Sequence, residues 1–350
     1  MKSLVITGPK KVELVTENMN NSLQPDEVLV RVKYISLCGS DYKLFKGLYS
    51  GPKQYPLKFG HEWSGIVKEI GNQVESVKCG DYVTGDCSIW CGTCIYCLSD
   101  KNLCLNIKKY GITTDGFSQT FKIVNKKYLY AASKDLLLPV VGLAEPFAVV
   151  YHALNKLCKI IPSVKWQQNR ILIIGCGMLG LAAYLLLTLQ FQCKQIDICD
   201  NMSEKVDYLQ SLFTDMQVSR FELPHFNRNK NETYTSLYAD CLHDIVIDAT
   251  GLASGVSSAL SFVKPGGCVV SFSMFDDAII NFKQIILKSV TVLGSIGGTG
   301  AFQQALLFFE KYQSYVKSII THCYSLDQAA DAFMDKHHNN GMKIKSQIRL

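Results

Sequence analysis

The run Gly175-Cys176-Gly177-Met178-Leu179-Gly180 constrains this chain more than any other. It follows a β-like segment, Arg170–Ile174, and opens a helix-like one, Leu179–Leu189. Glycine first permits a tight turn, then close approach of the backbone to a pyrophosphate, then packing of helix on strand. A phosphate would sit at the helix N-terminus, where free N–H groups and the dipole favour an anion. Gly175, Gly177, Met178, Leu179 and Gly180 are therefore candidate contacts for a dinucleotide. Asp200 lies twenty residues after Gly180, at the end of the next β-like run, QIDIC. A carboxylate there accepts hydrogen bonds from ribose hydroxyls and repels a 2′-phosphate. Asn201 and Met202 supply no arginine for that phosphate, so the expected cofactor is NAD rather than NADP. The alternative is that Asp200 caps the helix-like segment Glu204–Gln210, a task Ser203 could do equally well.

With 350 residues, 48% hydrophobic and 19% charged, the chain has the material for two packed domains. The formal charge of +6 is spread along the chain and reads as a solvated surface, not a nucleic-acid footprint. From Ile171 to Cys193 there is no charged residue, a length that could cross a bilayer. The three glycines divide it into strand and helix instead, so no membrane span is expected. The N-terminal run MKSLVITGPKKVELV lacks the apolar core of a signal peptide, and the cytoplasm is the expected compartment.

To about residue 150, short β-like segments alternate with loops rich in Cys and His. Examples are Glu27–Tyr34, Ser64–Ile70, Tyr82–Thr84 and Phe117–Val124. Beyond it, Arg170–Ile174, Gln195–Cys199, Asp244–Ala249 and Cys268–Ser273 alternate with helix-like segments, the pattern of parallel βαβ units. Asp215–Asp240 is polar and reads as a surface loop. Phe302–Tyr312 and Leu326–Phe333 look helical, and the chain ends on the β-like KIKSQIRL.

Four of the fourteen cysteines, Cys91, Cys94, Cys97 and Cys104, fall within fourteen residues. Four thiolates fill a tetrahedral zinc and leave no open position, so this spacing predicts a structural metal site. Reduced cysteines in an ordinary loop are the competing reading. A second constellation is dispersed: Cys38 in CGSD, His61 and Glu62 in GHEWSG, and Glu145 in LAEP. Singly these are a buried thiol, a core histidine and two carboxylates, and spacing alone cannot bring them together.

In their order along the chain, these motifs resemble the zinc-containing medium-chain dehydrogenase/reductase family of alcohol, sorbitol, threonine and galactitol-phosphate dehydrogenases. The likeness runs through CGSD (38–41), GHEWSGIVKEIG (60–71), GDYV (80–83), the four cysteines and AEPFAVVYHAL (144–154). It continues through GCGMLG (175–180), DATG (248–251), KPGG (264–267) and VLGS (292–295). The resemblance implies an α/β architecture. A β-rich GroES-like catalytic zinc domain would span 1–150 and 296–350, and a doubly wound parallel-sheet Rossmann domain would span 151–295. It implies two zinc ions per chain, one catalytic and one structural. Cys38 and His61 would be ligands of the catalytic zinc. Glu62 and Glu145 match acidic positions that the sorbitol and threonine dehydrogenase branch uses as a third ligand and as a ligand or partner of zinc-bound water. Ser40 matches the hydroxyl that relays the substrate proton, and Lys205 matches a lysine that contacts the adenosine ribose. The implied reaction passes hydride between NAD and an alcohol, polyol, sugar phosphate or amino alcohol, with zinc as Lewis acid on the substrate oxygen. By analogy the chain would be a homo-dimer or tetramer, with VTVLGS as candidate edge.

Two features depart from the family pattern. Six residues separate Cys97 from Cys104 where most relatives have seven. After Gly294, where sorbitol dehydrogenases carry an arginine and an aromatic for the polyol, this chain reads Ser295-Ile-Gly-Gly-Thr-Gly300. Glycine cannot donate the fork of hydrogen bonds that an arginine does, which argues against plain sorbitol as substrate. Lys43, Lys46, Lys53 and Lys58 could suit a phosphorylated substrate but read more simply as surface lysines. Three other functions compete: a zinc-free quinone or enoyl reductase, a catalytically silent NAD-binding protein, and a cysteine-lobe nucleic-acid binder, which no basic stripe supports. Cys38, His61, the cysteine lobe and Asp200 speak against the first, and an intact Cys/His/Glu set against the second.

Overall fold

Residues 27–36 read EVLVRVKYIS, a β-branched run in which Val28, Val30 and Val32 are buried and Arg31 is exposed. Such a run fits a pleated strand, and the strand Glu27–Ser36 organises the first of two units. In the computed structural model, which describes residues 1–19, 22–161, 164–214, 218–220, 238, 241–275, 277–334 and 342–350, the chain divides into two compact parts. One comprises Met1–Val149 with Gly297–Leu350, the other Val150–Ile296.

In the first unit the strand Glu27–Ser36 is antiparallel to Glu62–Ile70, to Phe121–Asn125 and to the final strand Lys345–Arg349. Beyond Glu62–Ile70 come Tyr82–Gly85 and Leu129–Ala132, and Ile320–Ser325 flanks Lys345–Arg349, giving a seven-stranded sheet. Two registers matter for function: Ser36 pairs with Glu62 on one side and with Gln347 on the other. Trp63, 1% exposed, stacks on Phe117 with ring centroids 4.0 Å apart. Around Phe333, the rings of Phe45 and Phe59 close a second part of the core. The strand expected over Phe117–Val124 begins only at Phe121. Phe117 and Ser118 instead bond the carbonyls of Gly60 and Phe59, which lets Phe117 reach Trp63.

In the second unit six strands pair parallel throughout, in the order Ser219–Arg220, Gln195–Cys199, Arg170–Ile174, His243–Asp248, Val263–Ser271, Thr291–Gly294. By sequence that order is 3-2-1-4-5-6, the doubly wound arrangement that opens a crevice where the winding reverses, between Arg170–Ile174 and His243–Asp248. Leu172, Val246 and Val269 from three neighbouring strands are fully buried beneath Phe262 of the helix Ala253–Phe262. The charge-free stretch Ile171–Cys193 resolves into the strand Arg170–Ile174, the helix Met178–Leu185 and a π-helical turn Leu186–Gln190. Among the described residues no helix is long and apolar enough to cross a membrane. Most of the polar stretch Asp215–Asp240 lies outside the described residues; Ser219–Arg220 within it forms the outermost strand.

Candidate functional site

The pairing of Ser36 with Glu62 assembles the dispersed constellation. Two residues past Ser36 the chain turns into the helix Gly39–Lys46, leaving Cys38 at its N-cap, while His61 directly precedes the partner strand. One ligand atom each from Cys38, His61 and Glu62 lies within 4.8 Å of the other two. His61 and Glu62 are 4% and 1% exposed, so the donors converge in a dry place.

The surrounding groups hold these donors in position. Asp41 is fully buried, accepts the Cys38 backbone N–H at 2.8 Å and that of Gly60 at 3.3 Å, and stands 3.7 Å from His61 Nδ1. At that distance the carboxylate makes no hydrogen bond to the ring, but its charge raises the basicity of the imidazole. Ser40 Oγ is 3.5 Å from His61 Nε2. Burial opposes a charge on His61, yet Asp41 and Cys38 outweigh it and push the imidazole up to about 10. That is the field of a pocket suited to a cation.

Glu145 opens the helix Ala144–Ile160, where Pro146 is tolerated because the first turn lacks N–H acceptors. It is buried but stands outside the three-donor cluster. Burial pushes its carboxyl above the usual range; Glu62 adds to the rise, while His61 and a hydrogen bond with the Cys87 thiol oppose it. Sequence reading did not single out Cys87, because nothing in GDCSIW signals that its side chain reaches Glu145.

Lys345 is a second residue that the sequence did not announce. Its ammonium is 2.7 Å from Glu62 Oε1 and 2.5 Å from Oε2, and both side chains are at most 3% exposed. Despite burial, Glu62 and Cys38 hold the Lys345 ammonium above its ordinary pKa. Lys345→Met should leave the Glu62 carboxylate without its ion pair, at a cost of about 3–5 kcal/mol. The expected result is a lower urea midpoint with an unchanged slope; an unaltered midpoint would mean that Glu62 does not depend on Lys345.

The four lobe cysteines also converge. Sγ–Sγ separations are 3.5 Å for Cys94–Cys97 and Cys91–Cys104, 3.9 Å for Cys91–Cys97 and 4.0 Å for Cys94–Cys104. Tetrahedral zinc with Zn–S bonds of about 2.3 Å sets sulfur atoms about 3.8 Å apart, so this cluster fits that ion. The backbone N–H groups of Cys94 and Cys91 donate to Cys91 Sγ and Cys104 Sγ, bonds that favour thiolates. The segment around Cys97 and before Cys104 forms two 3₁₀ turns, Ile95–Leu98 and Lys101–Leu103. Asn102 in the second turn is buried and clasps the backbone of Thr299 at both its N–H (3.0 Å) and its carbonyl (3.2 Å). Thus part of the glycine-rich run after Gly294 braces the lobe; a Cβ on Gly297 would strike Asn102.

In the second unit Gly175 adopts φ +104°, a left-handed conformation that favours glycine, and its N–H bonds the Cys199 carbonyl at 2.7 Å. A Cβ on Gly180 would collide with the Gly175 carbonyl, so helix and strand touch here through backbone alone. Gly177 caps the helix Met178–Leu185 and faces open space, leaving room for a group to approach the first helical N–H groups. Asp200 closes this turn. Its carboxylate accepts from Cys176 N–H at 2.8 Å and Met202 N–H at 3.0 Å, with the Lys205 ammonium 3.3 Å away. Met202, not Asp200, holds the N-cap position of the helix Ser203–Leu212.

Comparison with known proteins agrees with this arrangement. Residues 24–134 match the alcohol dehydrogenase GroES-like domain, and residues 139–350 match the glucose dehydrogenase C-terminus. D-arabinitol dehydrogenase 1 of Uromyces fabae is 27% identical over 343 residues, spanning 96% of this chain and 93% of that protein. Among solved structures, a short chain alcohol dehydrogenase (rspB) from Escherichia coli CFT073, complexed with NADH, superposes with a TM-score of 0.84 at 20% identity, covering 100% of this chain and 99% of that one. Galactitol-1-phosphate dehydrogenase from Escherichia coli gives 0.83 at 23% identity, covering 99% of each chain. A GroES-like unit joined to a doubly wound parallel sheet defines a class of oxidoreductase. This chain belongs to the zinc-type medium-chain dehydrogenase family.

Proposed function

We propose that the chain oxidises a carbinol carbon of a polyol or polyol phosphate with NAD, at a catalytic zinc held by Cys38, His61 and Glu62 with Glu145 beside them. The observation that carries this reading is the convergence of three metal-donor atoms within 4.8 Å, two of them on buried residues. When bound, zinc supplies Lewis acidity to the substrate oxygen and NAD accepts the hydride. The chain's own residues do the rest. Asp41 raises the basicity of His61 by its charge, Lys345 holds Glu62, and the pocket excludes water around the reacting oxygen. Ser40, 3.5 Å from His61, is the hydroxyl that passes the substrate proton outward. Cys91, Cys94, Cys97 and Cys104 hold a second, structural zinc.

Gly175, Gly177, Met178, Leu179 and Gly180 form the pyrophosphate turn, and Asp200 with Lys205 takes the adenosine ribose. Asp200→Asn keeps an acceptor for the Cys176 and Met202 N–H groups while removing the charge. Loss of a charged hydrogen bond of about 1.5–3 kcal/mol should raise KM for NAD by about 10- to 100-fold. NADP should lose less, because the repelling carboxylate is gone. Initial rates with both cofactors check this, and equal losses would remove Asp200 from the ribose site.

The substrate class rests on the relatives, D-arabinitol and galactitol 1-phosphate dehydrogenases among them. Sorbitol itself is disfavoured, since Ser295–Gly300 contains no arginine to grip it. A homo-oligomer joined through the edge strand Thr291–Gly294, on which Val292 is exposed, belongs to this reading. Fourteen free thiols suit a reducing compartment such as the cytoplasm. The functional reading is tested by presenting zinc-loaded protein and NAD with alcohols, polyols, polyol phosphates and amino alcohols, scored by NADH formation. Turnover should be highest with a polyol or its phosphate; no NADH from any of these, with NADH consumed instead when quinones or enones are supplied, would overturn the reading.

A further inference from the structure

Resting on the reading that the turn 175–180 holds NAD, we infer that Asp248 is a positioning residue for the nicotinamide half of that cofactor. It acts through the loop 249–252, which it holds in place at the crevice. The motif DATG (248–251) begins on the last residue of the strand His243–Asp248. In the parallel register Asp248 lies beside Ile174, the residue before Gly175. It therefore stands at the carboxyl end of its strand, where the winding reverses and ligands of such sheets bind. A doubly wound sheet has two mononucleotide-binding halves. The half that starts at Arg170–Ile174 carries the pyrophosphate turn and Asp200, which leaves the half that starts at His243–Asp248 for the nicotinamide.

Asp248 is 0% exposed, and its carboxylate is met by donors from two loops. Oδ1 accepts the Thr250 N–H at 3.1 Å and the Thr250 hydroxyl at 2.8 Å, and Oδ2 accepts the Ser271 hydroxyl at 2.9 Å. Those hydroxyls pass the hold onward. Thr250 Oγ1 accepts the Leu252 N–H at 3.1 Å, and Ser271 Oγ accepts the Ser273 N–H at 3.2 Å. Ser273 Oγ in turn accepts the Gly251 N–H at 2.8 Å, closing the circuit. One buried anion thus ties the loop after its own strand to the loop after Val263–Ser271. Burying a carboxylate is costly unless hydrogen bonds offset it, and here each of those bonds fixes loop backbone directly or through one hydroxyl. The helix Ala253–Phe262 leaves room for this, since a Cβ on Gly255 would collide with the Asp248 carboxylate and the Thr250 hydroxyl.

Two contacts carry the effect to the cofactor. The Ala249 N–H donates to the Ile174 carbonyl at 2.8 Å, and a Cβ on Gly175 would come within 2.9 Å of the Ala249 carbonyl carbon. The loop therefore abuts the pyrophosphate turn through backbone alone. Gly251, at φ +71°, faces open space just as Gly177 does, so each half offers bare backbone to the crevice. The adenosine half is held separately, by Asp200 on the Cys176 and Met202 N–H groups. Asp200 and Asp248 are thus one device used twice, a carboxylate at a strand end that fixes the adjoining loops.

Calorimetric titration of the zinc-loaded full chain with NADH and, separately, with AMP tests this. Asp248→Ala should weaken NADH at least about tenfold and leave AMP within about twofold, since only NADH reaches the second half. Asp248→Asn keeps an oxygen for Thr250 and an amide for Ser271 Oγ, and should hold NADH within about threefold of wild type. Thr250→Val removes one of the three bonds and keeps the side chain's shape. It should weaken NADH by a smaller factor with AMP unchanged, and it carries the test if alanine at 248 prevents folding. NADH affinity unaltered in the folded variants, or equal losses of NADH and AMP, would overturn the assignment. Wild-type protein that binds no NADH would overturn the cofactor reading itself, a failure distinct from these.

Discussion

Replacing Cys38 with serine is expected to abolish alcohol-dependent NAD reduction and to remove one metal ion per chain, while the fold persists. Cys38 is at the helix N-cap, half-buried, and its backbone N–H donates to the Asp41 carboxylate, a bond that a serine keeps. A hydroxyl of similar size therefore leaves the turn intact but supplies a much poorer zinc ligand. Lewis-acid stabilisation of a developing alkoxide is worth several kcal/mol, and losing about 4 kcal/mol slows turnover by about 10³-fold. Metal analysis by mass spectrometry, circular dichroism and initial rates on the same preparation check this together. Normal metal content with full activity would remove Cys38 from the centre.

The second large effect should be the opposite in character. Cys94→Ser breaks a four-sulfur cluster whose separations of 3.5–4.0 Å match a closed tetrahedral site. A closed site holds structure and meets no substrate. The lobe is otherwise two short 3₁₀ turns with Ile95, Leu98 and Leu105 exposed, so little apolar burial remains to hold it once the metal is lost. If losing it costs about 4 kcal/mol, Tm falls by on the order of 10 °C for a chain of this size. One metal per chain should leave, with kcat per remaining zinc-loaded centre largely kept. Loss of activity without loss of thermal stability would contradict a structural role. The contrast with Cys38→Ser separates the two metals within one set of measurements.

These expectations were unequally legible in the sequence. The Gly175–Gly180 turn and the four cysteines are local: every residue that matters lies within one turn or one loop, so spacing predicts geometry. The strand Arg170–Ile174 and the helix after Gly177 lie where their patterns place them. The dispersed donor cluster is the opposite case. Cys38 and His61 become neighbours only through the register that sets Ser36 against Glu62, and no local pattern encodes a register. There the family resemblance did what spacing could not.

Lys345 lies 283 residues from Glu62, and as one basic residue in KIKSQIRL it looks like any alternating strand position. Cys87 was hidden for the same reason, since its contact with Glu145 is made across the fold. The glycine-rich run after Gly294 was legible only as a departure. Its use became visible once Asn102 was found holding both backbone groups of Thr299.

The central claim is that Cys38, His61 and Glu62 hold a catalytic zinc with which NAD oxidises a polyol. The most direct test follows NADH formation on the best polyol or polyol phosphate before chelation, after a chelator has removed the metal, and after zinc is returned. Turnover should vanish with that metal, recover on zinc addition in wild-type protein, and fail to recover in Cys38→Ser. Turnover indifferent to chelation, or equally restored in the Cys38 variant, would contradict the account.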